Sequence, residues 1–339
     1  MPCISPPLTL QVHQSIKTNP HSKDDLPMAN RMLPRLLQAP AVLMLLMWML
    51  VPLGMTLFFS FIRYVLNSLR RPEWTTPSIE NWRGLGNYKY VLEAKDFWFA
   101  IQNSVFIVVS ILIFTVVFGL LIAVLVNRSF PGRGIVRVLL ISPFFVMPAV
   151  NAVLWINMIL DPVLGLNGLA VAGINDLVVG LREFPLIGQF FSMWPELKPI
   201  SFRATQTSAY AVIMMVTWQW TPFAVLIFMT SLQSEDESQK EAAMLDGASA
   251  WSQFINLTVP HLARPIAIVV MIQSIFHLSL YAEIEIVSRG NGNKNLPYLI
   301  GEFTSNNIGA ASATGIFAVI LANIIAIFLL RMVGKSLMN

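Results

Sequence analysis

Six long segments that are almost free of charged side chains run through the chain, and charged and polar residues collect between them. A helix needs about 20 mainly apolar residues to cross the hydrocarbon core of a bilayer, and these segments are close to that length or exceed it. The pattern therefore predicts an all-α integral membrane protein with six transmembrane helices. The predicted spans are 36–62, 101–126, 138–160, 209–233, 265–283 and 310–332.

Four of the predicted spans contain proline within the apolar run. Proline lacks the N–H of a helical hydrogen bond, so the freed carbonyl needs a neighbouring helix or cavity water as its partner. The prolines therefore predict a helix bundle around a lumen, with a break in the fourth span at residues 218–222. They are Pro40 and Pro52 in the first span, Pro143 and Pro148 in the third, Pro222 in the fourth and Pro265 in the fifth.

The short loop 127–137 sets the expected orientation, because it carries three arginines and no acidic residue. Short loops rich in arginine and lysine stay on the cytoplasmic side of a membrane. We therefore expect both termini in the cytoplasm. Residues 1–35 then form a cytoplasmic leader that mixes Pro, Ser, His and charge without an apolar stretch, which predicts disorder. The transmembrane domain is expected over 36–334, with a cytoplasmic loop at 235–264 and extracytoplasmic loops at 63–100, 161–208 and 284–309.

Composition excludes several classes of protein. The chain has 339 residues, of which 55% are hydrophobic and 12% charged, whereas a soluble domain carries about 25% charged residues. The net charge of +4 is modest. It is consistent with basic loops beside a membrane and does not indicate a nucleic-acid partner. The single cysteine, Cys3, excludes an internal disulfide, and no metal site is predicted.

The polar segment between the fourth and fifth spans is the most informative part of the chain. Residues 238–245 are good helix formers, and Gly247 is expected to end that helix in a conformation that other residues rarely adopt. A second short helix is expected from Trp251 until Pro260 stops it. The product is a bent helix pair with an acidic tip, held outside the membrane.

This segment resembles the EAA loop of the permease subunits of bacterial ABC importers. Its Glu-Ala-Ala, three residues and a glycine are followed by an aliphatic pair and Pro260, and Asp246 and Phe254 match the carbohydrate branch (MalF-like). The resemblance extends to residues 84–88 and 161–167, but residues 288–292 depart from the usual Thr-Gly-Gly-Pro. It implies the type I (MetI/MalF-like) importer fold. The residues expected to contact the ATPase are Glu241, Ala242, Ala243, Asp246 and Gly247.

The resemblance also implies partners. The importers of this family need a second, MalG-like permease, a homodimeric ABC ATPase that binds ATP and Mg, and an extracytoplasmic solute-binding protein. The chain itself is then a non-catalytic subunit of a bacterial inner membrane, in contact with the lipid bilayer. The end of the sequence, Gly334-Lys335-Ser336, lacks the first glycine and preceding strand of an ATP-binding loop.

Polar side chains within the spans give candidate substrate contacts, because they are costly in hydrocarbon and usually face a cavity or a partner helix. Gln273, His277 and Tyr281 follow one another at helical spacing on the fifth span. Helix bridging is an alternative role for His277 and the glutamines, and the expected one for Asn151 and Asn157. Packing is the alternative role for Trp220 and the phenylalanines, and the commoner one for such side chains. With the positions that the resemblance adds, the candidates are Phe144, Phe145, Ala149, Gln219, Trp220, Gln273, His277, Leu280 and Tyr281.

These candidates predict a binding site for a neutral sugar or sugar alcohol, since aromatic faces stack on sugar rings and amide or imidazole groups bind hydroxyls. An importer of glycerol phosphate or another anion is an alternative, although it calls for a cation, and the apolar runs, the last of which ends at Leu330, contain none. A stand-alone secondary transporter is a second alternative, but it calls for paired acids within the membrane. An intramembrane enzyme is disfavoured, because His277 has no acid or nucleophile at helical spacing.

Overall fold

The computed structural model describes residues 28–66, 75–184 and 188–338. Residues 1–27 of the expected leader, with Cys3, lie outside the described part. All the regular elements of this part are helices. They are α1 (Met28–Phe61), α2 (Gly86–Glu93), α3 (Lys95–Asn127), α4 (Arg133–Ile141), α5 (Pro148–Leu154), α6 (Leu166–Arg182), α7 (Gly188–Ser192), α8 (Ser208–Leu232), α9 (Glu237–Leu245), α10 (Ala250–Gln253), α11 (Val259–His261), α12 (Ala263–His277), α13 (Ala282–Ser288), α14 (Leu296–Thr304) and α15 (Ile308–Met338).

The chain divides into two units, residues 1–55 and residues 56–339. In the first, the described part is the long N-terminal portion of α1, and its large apolar side chains from Leu36 onward are exposed, with Trp48 at 85%. Residues 28–35, which were expected to belong to the disordered leader, are helical. The physical reason is that a helix propagates cheaply from an apolar segment that has already formed one.

Four described helices are long and apolar enough to cross a membrane: α1 from Leu36, α3, α8 and α15 up to Phe328. Two further helix pairs pass the same test but are bent, by 102° between Arg133–Phe145 and Pro148–Ile159 and by 56° between Ala250–His261 and Ala263–His277. The number of spans is six if each bent pair counts as one. The expected all-α membrane architecture is therefore confirmed.

The centre of the second unit is the contact between α3 and α8, which run parallel. One end of this contact buries Ile107 and Ile111 with Val212, and the other buries Ala123 with Phe228. Gly119 allows the helices to approach closely, since a Cβ there would lie 2.7 Å from the Cβ of Ala224. Dispersion contacts and close backbone approach of this kind drive helix association in lipid.

The expected break in the fourth span is wrong, because α8 continues through Pro222. Thr221 Oγ1 donates to the Thr217 carbonyl oxygen at 2.6 Å, one turn earlier. The close packing against α3 on both sides of the proline holds the helix axis. Packing against α3 thus keeps the helix continuous although Pro222 cannot donate its hydrogen bond.

The third and fifth spans are interrupted. A 3₁₀ turn over Ser142–Phe145 separates α4 from α5, and a π-helical turn over Trp155–Ile159 follows α5. The fifth span ends at His277 instead of 283, and residues 278–281 link it to α13. The second helix of the loop runs from Ala250 through a π-helical turn to His261, one residue beyond Pro260, which was expected to stop it.

Candidate functional site

An aromatic cluster lies where the break in the third span meets α8 and α12. We use this name for Phe144, Trp220, Phe223 and Phe276. The Trp220 ring lies 5.5 Å from Phe144 and 5.1 Å from Phe276, between ring centroids. Phe144 is also stacked on Phe223 at 5.9 Å. Phe276 is 55% exposed, so the cluster presents an aromatic face at the surface of the chain.

Two buried polar side chains lie directly behind this face. Gln273 is 0% exposed and His277 1%, and the His277 ring meets Trp220 edge-on at 5.1 Å. Gln273 Nε2 makes a long hydrogen bond of 3.4 Å to the Trp220 carbonyl oxygen. Gln273 Oε1 and both imidazole nitrogens of His277 are buried without a hydrogen-bond partner. Such groups cost free energy until a partner reaches them.

The structure therefore brings together four of the predicted contact residues: Phe144, Trp220, Gln273 and His277. The i,i+4 spacing of the last two on α12 places them on one face, as expected.

Gln219 belongs to a separate hydrogen-bond network between the third span and α8. Its Nε2 donates to the Val146 carbonyl oxygen, and its Oε1 accepts a hydrogen bond of 3.0 Å from Asn151 Nδ2. Asn151 also donates to the Met215 carbonyl oxygen at 3.1 Å. The expected bridging role of Asn151 is confirmed, and Gln219 satisfies a carbonyl at the break that precedes Pro148.

The remaining candidates lie outside the cluster. Leu280 is buried in the apolar core with Ile284. Tyr281 is 44% exposed and stacks on Tyr298, because α12 ends before it and its face cannot continue. Phe145 is 77% exposed and touches the cluster only through the edge of Phe144. Ala149 is half-buried on α5.

The loop between α8 and α12 forms the bent helix pair that the sequence predicts. Asp236 caps α9 by accepting from the Ser238 N–H at 2.9 Å, and Ser249 caps α10 by accepting from the Ser252 N–H at 3.2 Å. Gly247, between the two helices, has φ of 79°, a left-handed conformation that favours glycine.

The tip of this loop exposes large apolar side chains in a segment outside the apolar spans. Leu245 is 89% exposed, Trp251 69% and Met244 62%. The five expected contact residues surround them, and all except the half-buried Ala243 are exposed. An apolar patch rimmed by acidic residues is typical of a protein–protein contact.

Glu235 anchors this loop, and no sequence motif indicated it. Its carboxylate lies 2.8 Å from Lys240 Nζ and accepts a hydrogen bond of 2.9 Å from Thr258 Oγ1. Its side chain is only 6% exposed. The carboxylate thus joins the end of α8, the middle of α9 and the π-helical turn over Phe254–Thr258.

At the ends of the spans that lie away from the loop at 235–264, polar side chains bind the connecting segments. Asn87 donates to the carbonyls of Ser60 and Ile62 at 2.9 and 2.8 Å, which gives the motif at 84–88 a structural role.

The loop after the third span is also fixed by side chains. The backbone N–H groups of Leu164 and Val163 donate hydrogen bonds to the Asp161 carboxylate, and these bonds lower its pKa. Arg203 Nη2 donates to Asn157 Oδ1 at 2.7 Å, so Asn157 binds a loop and not a helix.

The segment 288–292, which departs from the family motif, is a tight turn. Arg289, Gly290 and Gly292 all have positive φ. Ser208 Oγ donates to the Asn291 carbonyl oxygen at 2.8 Å, which ties the turn to α8. Among the residues that the structure describes, no group of three or more His, Cys, Asp or Glu side chains could hold a metal ion.

Comparison with known proteins gives the relationships of this chain. The sequence pattern of the family described as binding-protein-dependent transport system inner membrane component matches residues 28–339. A probable ABC transporter permease protein, y4oQ of Sinorhizobium fredii, is 32% identical over 221 residues, which are 65% of this chain and 63% of that relative. The chain thus spans less than two thirds of the length of that relative. The trehalose transport system permease protein SugA of Mycobacterium tuberculosis is 24% identical over 96% of both chains.

A solved structure, that of a bacterial alginate ABC transporter in complex with an alginate pentasaccharide-bound periplasmic protein, contains a chain with the same fold. The TM-score is 0.66 at 18% identity, over 90% of this chain and 95% of that one. At this identity the likeness concerns the fold alone. The family match covers all but the first 27 residues, and the chain therefore belongs to the binding-protein-dependent transport system inner membrane components, as a permease of an ABC transporter.

Proposed function

We propose that this permease forms one half of the translocation pore of a bacterial importer for a neutral sugar or a sugar alcohol. Its role is to pass the solute and to transmit movement from the ATPase, without catalysing a reaction itself. The trehalose permease among its relatives supports the carbohydrate class.

The observation that carries the substrate class is the pair Gln273 and His277 behind the aromatic cluster. Their unpartnered oxygen and nitrogens offer hydrogen bonds to hydroxyl groups, and the aromatic face offers stacking to a sugar ring. No charged side chain belongs to this group of six residues. An acidic sugar such as alginate, or glycerol phosphate, would call for a cation here, so a neutral solute fits better.

Gln273 and His277 are enclosed, so a solute reaches them only when the aromatic cluster opens. We assign this opening to the movement of α8 and α12 against the second permease. In the closed arrangement the unpartnered groups cost free energy, and a bound hydroxyl would offset that cost. Substrate binding therefore favours the open arrangement through its differential contacts.

We assign coupling to the loop at 235–264. Its exposed apolar tip and the residues Glu241 to Gly247 are suited to a groove on a soluble ATPase subunit, and the Glu235 anchor lets the loop move as one piece with α8. This assignment places the loop and both termini in the cytoplasm. The partners are then a MalG-like permease, an ATPase dimer that binds ATP and Mg, and an extracytoplasmic solute-binding protein.

The test is uptake of labelled sugars and alditols by membrane vesicles that contain the assembled importer, ATP and the binding protein. His277→Ala and Gln273→Ala should each lower uptake by about tenfold, the value of one or two hydrogen bonds to buried groups. Basal ATP hydrolysis should stay unchanged. Ser274→Ala is the matched control, because Ser274 is equally buried but donates to its own helix at the Val270 carbonyl oxygen.

Two outcomes would contradict the proposal. Equal loss in all three variants would indicate that α12 had been disturbed as a packing element. Uptake of glycerol phosphate in preference to every neutral solute would assign the importer to anions.

A further inference from the structure

Arg137, on α4, has buried nitrogen atoms that no group in the described part of the chain satisfies. Its Nε and Nη2 atoms are both buried and without a hydrogen-bond partner. The arginine lies on the side of α4 that faces the protein, with the half-buried Val136 and Leu140, whereas Val138 and Leu139 are 69% and 64% exposed. A guanidinium stays protonated in proteins, so it cannot avoid the cost of burial by losing its charge. A buried guanidinium therefore needs an anionic partner.

A cavity of about 270 Å³ adjoins Arg137. Its polar end is formed by Arg137, Thr230 and Gln233, and the rest of its wall is apolar, including Val126 and Met229. No acidic side chain lines it. The cavity is therefore amphipathic, with one uncompensated positive charge at one end.

The position of the cavity indicates the source of the anion. It lies at the ends of α3 and α8, beside the residues that lead into the loop at 235–264, and therefore at the edge of the apolar layer. Leu226, which lines it, is 38% exposed, so an acyl chain can leave the cavity along the outside of α8. A small free anion would use the charged end and leave the apolar wall in contact with water.

We propose that this cavity binds the phosphodiester head of an anionic phospholipid from the leaflet on the side of the coupling loop. The guanidinium plane donates two parallel hydrogen bonds to phosphate oxygens, a geometry that arginine supplies and lysine does not. The first carbons of the lipid tail lie along the apolar wall. Basic pockets between transmembrane helices are known sites for such head groups. The site is separate from the proposed solute path and does not depend on it.

Native mass spectrometry of the assembled importer, exchanged into equimolar phosphatidylglycerol and phosphatidylcholine, tests the assignment. The wild type should retain phosphatidylglycerol through delipidation. Arg137→Gln should retain at least about tenfold less, the value of hydrogen bonds to a charged group. Arg128→Gln should behave as the wild type, because Arg128 is exposed in the turn that precedes α4 and the variant loses the same charge.

Leu226→Trp provides a second variant, which fills the apolar part of the cavity and leaves the guanidinium in place. It too should release phosphatidylglycerol. Equal retention in Arg137→Gln and Arg128→Gln would overturn the site. So would displacement of the lipid by millimolar inorganic phosphate, which would indicate a free-anion site. Loss of a partner subunit from Arg137→Gln alone would overturn it as well, since the guanidinium would then pair with a carboxylate of that subunit.

Discussion

Gln219 and Gln273 are amides on adjacent helices, and only their surroundings separate their roles. Gln219 finds two partners within the chain, whereas Gln273 keeps its carbonyl oxygen unpartnered. Helical spacing told us which side chains share a face of one helix. The sequence could not tell which groups of other helices face them, because the carbonyl at Val146 becomes available only through the break in the third span.

At the scale of single residues, we expect Asn151→Leu and Gln219→Met to destabilise the protein and to leave its substrate affinity unchanged. Each variant leaves a buried partner unsatisfied, so each should lower the free energy of unfolding by about 1–3 kcal/mol. The double variant should cost less than the sum, since both act on one network. Thermal unfolding of the purified importer measures this, and Thr304→Val, on an exposed turn of α14, is the control. A raised KM for the solute with unchanged unfolding would instead return Gln219 to the solute-binding surface.

Among the elements, the sequence predicted best the helices whose ends carry local signals. Residues 238–245 were expected to be helical and α9 covers Glu237–Leu245, because its caps and its terminating glycine are local signals. Pro222 was the opposite case. Its local effect is to break a helix, but packing on α3 through Gly119 overrides it, and that contact joins residues about 100 positions apart.

The Glu235 anchor of the loop at 235–264, to which we assign coupling, gives a prediction at the scale of elements. Thr258→Val removes the hydroxyl that binds Glu235 and keeps the shape of the side chain, so α8 and α9 should lose their link through Glu235 to the π-helical turn over Phe254–Thr258. We expect several times more ATP hydrolysed per solute imported, with basal hydrolysis unchanged. Thr258→Ser keeps the hydroxyl and should restore the wild-type ratio. If the valine and serine variants have the same ratio, the hydrogen bond has no part in transmission.

For the molecule as a whole, hydropathy located six apolar runs, and the described residues contain four continuous helices that are long and apolar enough to cross a membrane, with two bent pairs. Pro143 and Pro148 indicated only that carbonyl groups of the third span need partners outside its helix. They could not predict a bend of 102°, because the angle depends on which neighbouring helix satisfies the freed carbonyls.

Labelling of single cysteines tests whether α4 and α5 cross the membrane together. In a Cys3→Ser background, which removes the natural cysteine, Ser129→Cys and Val163→Cys place a thiol at exposed positions on either side of the pair. We expect a membrane-impermeant maleimide to label Val163→Cys in intact spheroplasts and Ser129→Cys only after permeabilisation. Labelling of both thiols from the same side would indicate a re-entrant pair.

The early end of α12 has a consequence for the thickness of the membrane barrier. Its 15 residues extend over roughly 22 Å at 1.5 Å per residue, against a hydrocarbon core of about 30 Å. A helix shorter than the core draws the lipid inward around it or is surrounded by longer helices. On the proposed solute path beside α12, a polyol would therefore shed its water over a shorter distance than the full bilayer imposes, and His277 lies at the end of that distance.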